Sequence, residues 1–271
     1  TLIFCWPLFI GALLKAALPF AGAQRSINYW VHACAQTWIA VNKGWMDLVQ
    51  PIQWDVQGLE SVDMHHSYLV TSNHQSWVDI LVLQKVFLGH IPFLKFFLKR
   101  ELIYVPVIGL AWWALDFPFM QRKGGFKSGK NDLAATRKAC ERFKLIPTSV
   151  MNFLEGTRYT PAKRESQRSP YQHLLKPRVG GLAVALGTMG EMFDSLLDVT
   201  IVYPQRIPTF WEILAGEVRE VVVRVQQVAI PAELLGGDYE GDPGFRAKLQ
   251  AWVAGMWRSK DQEIERILAR K

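Results

Sequence analysis

The stretch Ser72-Asn73-His74-Gln75-Ser76-Trp77-Val78-Asp79 puts a histidine just ahead of a predicted helix and a carboxylate in that helix's first turn. The run before it, Ser67-Tyr68-Leu69-Val70-Thr71, reads as a short apolar strand, and Ile80-Leu81-Val82-Leu83 carries an apolar helical face. Ser76 suits the N-cap, and Asp79, three residues on, is where a capping-box acid sits. A side chain there points back past the helix start, toward the turn that presents His74. A carboxylate against imidazole fixes the tautomer and raises basicity, so the pair could take a proton from an alcohol. The plainer reading of the same residues is that Asp79 caps a helix and His74 is a polar loop residue.

Three basic clusters add to the picture. Lys99-Arg100-Glu101-Leu102, with Val105-Pro106 and Gly109 beyond it, follows one apolar strand candidate. Gln121-Arg122-Lys123 follows a second, and Glu155-Gly156-Thr157-Arg158 a third. Open α/β sheets bind ligands just past the carboxyl ends of their strands. An arginine offers bidentate donors to a phosphate, and Gly156 lets backbone approach closely. Singly, each cluster is an ordinary solvated surface; together, downstream of a His/Asp pair, they suggest an anion site. Ser76 as a nucleophile lacks a Gly-x-Ser-x-Gly elbow, and its capping role accounts for it. His65-His66 has no acidic or cysteine partner at useful spacing, so no metal is expected. Cys5, Cys34 and Cys140 are an odd number, far apart, and fit reduced thiols in a cytosolic setting.

The elements that must position these residues alternate. Residues 24–48 read as a helix with Ile27, Trp30, Val31, Cys34, Trp38 and Val41 down one side. Strands are expected near 52–58 and 67–72, then a helix over about 76–88 and a strand near 92–98. A loop and short helix cross 99–115, and Asp116–Met120 is a strand candidate. The basic loop Gln121–Lys130 opens a helix over about 131–144, and 148–154 is a buried strand. A small-residue helix is expected from Gly180 to Gly190, a strand from Asp198 to Tyr203 stopping at Pro204, and a half-exposed strand from Val218 to Val228. The tail from Phe245 is an amphipathic helix. Strands separated by helices argue for an α/β fold with a mixed sheet flanked by helices.

Composition sets the surroundings. Half of the 271 residues are hydrophobic and 11 are Trp, yet the net charge is +7. An apolar and basic chain suits an anionic membrane surface. Nucleic acid is disfavoured, because the aromatic residues sit in apolar runs such as Ala111-Trp112-Trp113-Ala114-Leu115 rather than among Arg and Lys. The chain opens on Thr1, which suggests a start inside a longer protein. Leu2 to Leu14 carries no charge but is shorter than the roughly 20 residues a span needs. An anchor remnant, an interfacial helix and a signal-peptide core are the three readings. Lys15 and Arg25 favour an anchor with the main body on the cytoplasmic side. The organisation expected is a partial anchor over 1–20, a helical segment over 21–49 and a catalytic domain over 50–271.

These residues resemble the glycerophospholipid acyltransferases, whose type member is 1-acylglycerol-3-phosphate acyltransferase. The family's first block, Asn-His-x-Ser-x-x-x-Asp, is met by Asn73, His74, Ser76 and Asp79. A further block, a basic pair with Glu-Leu, then Val-Pro-x-x-Gly and a later Arg, resembles Lys99 through Gly109 with Arg122. The third, Phe-Pro-Glu-Gly-Thr-Arg, is similar to Phe153 through Arg158 with Leu154 in place of proline. The fourth, a hydrophobic strand ending in proline, resembles Val199 through Pro204. The segment His173-Leu174-Leu175-Lys176-Pro177-Arg178-Val179-Gly180-Gly181 is also similar to that of a subgroup acylating lysophosphatidate and larger lysophospholipids. The resemblance covers about residues 50 to 210.

It implies that His74, oriented by Asp79, activates a lysophospholipid hydroxyl toward an acyl thioester, either acyl-CoA or acyl carrier protein, with no other cofactor. It implies that Lys99, Arg100, Arg122, Glu155, Gly156, Thr157 and Arg158 serve the acceptor phosphate. Glu155 either orients the Arg158 guanidinium toward that phosphate or pairs with it merely to brace the turn. Ile201, Val202 and Pro204 then form the strand end beside the acyl donor. The competing functions are a membrane-associated lipid hydrolase or thioesterase and a non-enzymatic anionic-lipid binder.

Overall fold

Strands buried on both faces read as nearly continuous apolar runs, and the strand Ser195–Val202 is of this kind, buried at every position. The computed structural model describes residues 2–18, 20–96, 98–99, 103–104, 108–115, 117, 119–120 and 147–270. The helix expected over 131–144, the loop Gln121–Lys130 with Arg122, and Arg100 lie outside the described residues, as does the side chain of Lys99. The elements are α1 (Leu2–Ala17), α2 (Ala21–Val49), β1 (Gln53–Gln57), β2 (Tyr68–Ser72), α3 (Val78–Phe87), β3 (Leu94–Phe96), β4 (Leu98–Lys99), α4 (Ile108–Ala114), β5 (Phe119–Met120) and β6 (Ser149–Phe153). They continue with α5 (Pro161–Ser166), α6 (Gly180–Met189), β7 (Ser195–Val202), α7 (Phe210–Leu214), β8 (Glu220–Val228) and α8 (Pro243–Leu268).

Among the described residues, six strands form one sheet in the order β1-β8-β7-β2-β6-β3. β7, β2, β6 and β3 pair parallel, β8 pairs antiparallel with β7 and parallel with β1, so the sheet is mixed, as expected. The expected strand over 92–98 divides: β3 joins the main sheet, while β4 pairs with β5 in a separate two-stranded ribbon. β7 begins at Ser195 rather than Asp198, because Leu196 and Leu197 already alternate between two cores.

That alternation organises the domain. Successive side chains of a strand point to opposite faces, so Leu196 and Val202 pack with α6 and α8 on one side, among Leu182, Leu186, Leu249 and Trp257. Leu197, Val199 and Ile201 pack with α3 on the other, among Val78, Val82 and Val86. Polar side chains interrupt the first face: Asp198 accepts from the Thr71 hydroxyl at 3.0 Å and pairs with the buried Lys260 of α8 at 2.9 Å. Burial presses Lys260 below the usual lysine range, and Asp198 opposes that shift. Because β2, β6 and β7 run parallel, their carboxyl ends open on one edge of the sheet.

The amino-terminal helices pack against this body. A Cβ on Gly11 would stand 2.4 Å from Val31 Cγ2, so the bare glycine allows the close approach of α1 to α2. Lys15, expected as a flank of a membrane segment, instead turns inward and donates to the Ala114 carbonyl at 2.9 Å. No helix among the described residues is long and apolar enough to cross a membrane. The outer side of α1 and the start of α2 leave Trp6, Ile10, Leu13, Leu14 and Phe20 exposed.

Candidate active site

The loop after β2 is fixed before its chemistry begins. Asn73 is buried and its carboxamide bonds both backbone groups of Ile201, accepting from N at 2.9 Å and donating to O at 2.8 Å. The side chain thus extends the β2–β7 ladder by one rung. His74 N–H donates to Glu155 Oε1 at 2.8 Å, and its carbonyl accepts from Tyr159 N at 2.7 Å. The imidazole stacks on Phe153 with ring centroids 4.0 Å apart. The ends of β2, β6 and β7 therefore meet at the Asn73-His74 turn.

Asp79 lies in the first turn of α3 and is fully buried. A buried carboxylate needs donors, and this one has four. Oδ2 accepts from His74 Nδ1 at 2.9 Å, from Gln75 N at 2.6 Å and from Ser76 N at 2.8 Å. Oδ1 accepts from the Tyr203 hydroxyl at 2.7 Å. Burial beside Asp79 holds the Tyr203 phenol well above its ordinary range, so it remains a donor. With Nδ1–H given to Asp79, the lone pair of the neutral ring is on Nε2. The His74 side chain retains 13% of its exposure, so the ring is not sealed from the surface.

α3 starts at Val78 with Trp77 in the cap position, one residue later than expected, and Ser76 serves the first turn from just outside it. Its hydroxyl accepts from Val78 N at 3.2 Å, while the Asp79 carboxylate takes the Ser76 N–H, which is the returning half of a capping box. The same hydroxyl donates to the Pro208 carbonyl at 2.5 Å. Its proton is committed away from His74, which argues against a nucleophilic serine.

Glu155 differs from its expected use. It is fully enclosed, and its other oxygen, Oε2, accepts from Leu175 N at 2.9 Å. Both oxygens thus hold backbone, one at the His74 turn and one at the Leu175 segment. Burial is the main reason its carboxyl is pushed up to about 7. It does not orient Arg158, whose exposed guanidinium lies over the Trp77 ring, 5.1 Å from the centroid. Gly156 takes φ +66°, the left-handed region that a glycine adopts without Cβ strain. Thr157 Oγ1 accepts from Lys163 Nζ at 2.8 Å, and the same ammonium donates to the Arg158 carbonyl at 2.9 Å. Ile201 and Val202 bury their side chains in opposite cores; Ile201 meets the site through the backbone that Asn73 holds. Pro204 is buried directly after Tyr203.

The structure thus brings together His74, Asp79, Glu155, Gly156, Thr157 and Arg158. Tyr203, Trp77, Lys163 and Arg178 belong to the same neighbourhood, and sequence reasoning gave none of them a role at the site. Two carried a signal: Tyr203 by its place at the end of a buried strand just before Pro204, and Arg178 by its place in the segment His173 to Gly181 that resembles a subgroup's motif. Among the described residues no group of His, Cys, Asp and Glu is placed to hold a metal ion.

Comparisons with known proteins place the chain in one family and find its fold in a solved structure. The model of the Acyltransferase family matches residues 53–203. Lysocardiolipin acyltransferase 1 of Danio rerio is 27% identical over 272 residues, covering 94% of this chain and 66% of that protein. The 1-acyl-sn-glycerol-3-phosphate acyltransferase 3 of Arabidopsis thaliana is 26% identical over 251 residues, covering 83% and 62%. The chain thus spans about two thirds of the length of these two relatives. Among solved structures, the 1-acyl-sn-glycerophosphate (LPA) acyltransferase PlsC from Thermotoga maritima has a similar fold, with a TM-score of 0.50 at 17% identity over 97% of this chain and 95% of that one.

Proposed function

The chain belongs to the acyltransferase family, and we propose that it moves a fatty acyl group from a thioester to the free hydroxyl of lysophosphatidate or a related lysophospholipid. The observation that carries this reading is the His74–Asp79 pair, set where three parallel strands end, with Nδ1 occupied and Nε2 left to act. In the proposed step Nε2 takes the proton of the acceptor hydroxyl as its oxygen attacks the thioester carbonyl. The imidazolium formed is stabilised by Asp79. The tetrahedral intermediate then collapses, the carbon–sulfur bond breaks, and the thiolate leaves with the proton held on Nε2. One ester and one thiol result, His74 is neutral again, and no acyl-enzyme is required. The donor class is acyl-CoA or acyl carrier protein, and the chemistry calls for no metal or other cofactor.

The acceptor phosphate belongs beside the turn at Gly156 to Arg158, with Lys99, Arg100 and Arg122 as further cations of the same site. The acceptor is an amphiphile, and the apolar residues left exposed on α1 and α2 suit a phospholipid surface. We place the protein at a membrane, with the catalytic body on its cytoplasmic side. A thioesterase differs in using water as the acceptor, and it gives no purpose to the cations beside the His74 turn.

The test is thiol release from acyl-CoA by the purified protein with and without lysophosphatidate. Release that depends on lysophosphatidate supports transfer, release without it indicates a thioesterase, and none supports the lipid-binding alternative. His74→Ala should lower turnover by about a hundredfold or more with the fold intact, the usual scale for loss of a general base. Near-normal activity in that variant would end the proposal.

A further inference from the structure

The bare backbone of Gly156 makes room for a residue outside the basic clusters considered so far. A Cβ placed on Gly156 would stand 3.1 Å from Cδ of Arg178, 3.7 Å from its Nε and 3.8 Å from its Nη1. The Arg178 side chain therefore runs across the glycine. Its backbone is tied to the same turn, because Arg178 N donates to the Leu154 carbonyl at 2.6 Å. Three residues earlier, Leu175 N donates to Glu155, the carboxyl that also holds His74 N. One buried side chain thus sets the relative places of the histidine turn and the Arg178 segment.

Arg158, two residues beyond Gly156, rests on Trp77, three residues beyond His74. Arg158 and Arg178 are both exposed, and among the described residues neither pairs with a carboxylate. Lys163 adds positive charge at the same rim, with its donors on Thr157 and the Arg158 carbonyl. Two guanidiniums free of carboxylates, one crossing Gly156 and one carried two residues beyond it, offer planar donor forks suited to a phosphate.

We propose that Arg178 completes the acceptor site with Arg158, and that the pair selects a phosphomonoester acceptor over a phosphodiester one; this rests on the acyl-transfer reading above. A phosphomonoester carries about −1.5 to −2 charges at neutral pH and presents three free oxygens. A phosphodiester carries one negative charge and two free oxygens. Two forks can engage the three oxygens and balance the dianion. Against a diester the Arg178 fork has little left to hold, and a bulky further substituent stands where it would bind.

The experiment compares kcat/KM for lysophosphatidate and lysophosphatidylglycerol of one acyl chain in mixed detergent micelles. Arg178→Ala should lower the ratio of the two by about tenfold or more, the scale of one lost charge-assisted bond. Arg178→Lys should recover part of it, because the charge returns without the fork. Equal losses on both acceptors, or no loss, would overturn the assignment. Titration of lysophosphatidate in the absence of any acyl donor provides a readout independent of turnover, and Arg178→Ala should weaken that binding by about tenfold or more. If the wild type releases no thiol with either acceptor, the acyl-transfer reading fails. The titration then decides the anion site alone, and unchanged binding in Arg178→Ala would sink it.

Discussion

Replacing Asp79 by asparagine separates the charge of this side chain from its shape. The carboxamide has one acceptor and one donor end, so its orientation decides the outcome. Oδ2 faces three N–H donors, from Gln75, Ser76 and His74. If the amide nitrogen took that place, the two backbone donors would be left unsatisfied, at about 1–3 kcal/mol each. The oxygen is therefore held where Oδ2 now sits, and the nitrogen faces Tyr203. The tyrosine hydroxyl, now a donor at 2.7 Å, can rotate and accept. Asparagine so placed keeps the Nδ1–H tautomer and loses only the charge that stabilises the imidazolium. A charge-assisted hydrogen bond contributes about 1.5–3 kcal/mol against about 0.5–1.5 for a neutral one. The difference, about 1–2 kcal/mol, corresponds to a fall in kcat/KM of roughly 5- to 30-fold. In a Ser-His-Asp triad the same exchange costs about 10⁴-fold because the tautomer is lost. The assay is the lysophosphatidate-dependent thiol release described above, with His74→Ala as the floor and circular dichroism to confirm folding. Activity at that floor would show that the backbone amides do not govern the amide's orientation. Wild-type activity would reduce Asp79 to a helix cap.

Two further outcomes follow from buried charges. Glu155 has a folded-state pKa of about 7, raised from 4.5, so its contribution to stability is full below about pH 4.5 and declines as pH rises to about 7, by up to about 3 kcal/mol. Glu155→Gln should flatten that part of the urea-unfolding profile while lowering stability, since one oxygen cannot serve both His74 N and Leu175 N; an unchanged slope refutes the argument. Lys260→Met should cost about 3–5 kcal/mol, because among the described residues the buried Asp198 side chain then keeps only the Thr71 hydroxyl as a partner. A loss below about 1 kcal/mol in urea unfolding would mean that water or a shifted side chain replaces the ammonium.

The fold was legible wherever burial imposes a period. The runs that became β2, β6, β7 and α3 are apolar because they are covered on one face or both, and composition records this directly. Boundaries were less legible where pairing decides them. Nothing in 92–98 marks where one strand leaves the main sheet and another joins a ribbon, since both halves are apolar. The His/Asp pair and the Glu155–Arg158 turn could be found because their residues are close in sequence. The relation between Glu155 and Arg158 could not be read that way. Adjacent opposite charges suggest a pair, but β6 carries Glu155 into the interior, where two backbone amides take both oxygens. Arg158, on the outward side of the turn, is left to an aromatic ring.

The sequence left two readings of Asp79, a helix cap or the partner of a histidine, and the geometry makes them one arrangement. Oδ2 accepts the Ser76 N–H that a capping acid takes, and from the same position it accepts His74 Nδ1–H. A cap needs its acid fixed against the first turn; an imidazole partner needs a fixed acceptor outside the helix. The short turn from His74 to Ser76 lets one oxygen meet both needs. The missing member was Tyr203, which is 124 residues away in sequence and closes the remaining side of the carboxylate. Its distance explains why no local pattern disclosed it. Its role is to hold Oδ1 so that Oδ2 keeps facing its three donors, which a rotating carboxylate would not do. The sheet supplies that constraint, because β7 runs parallel to β2 and delivers its last residues to the place where the histidine turn begins.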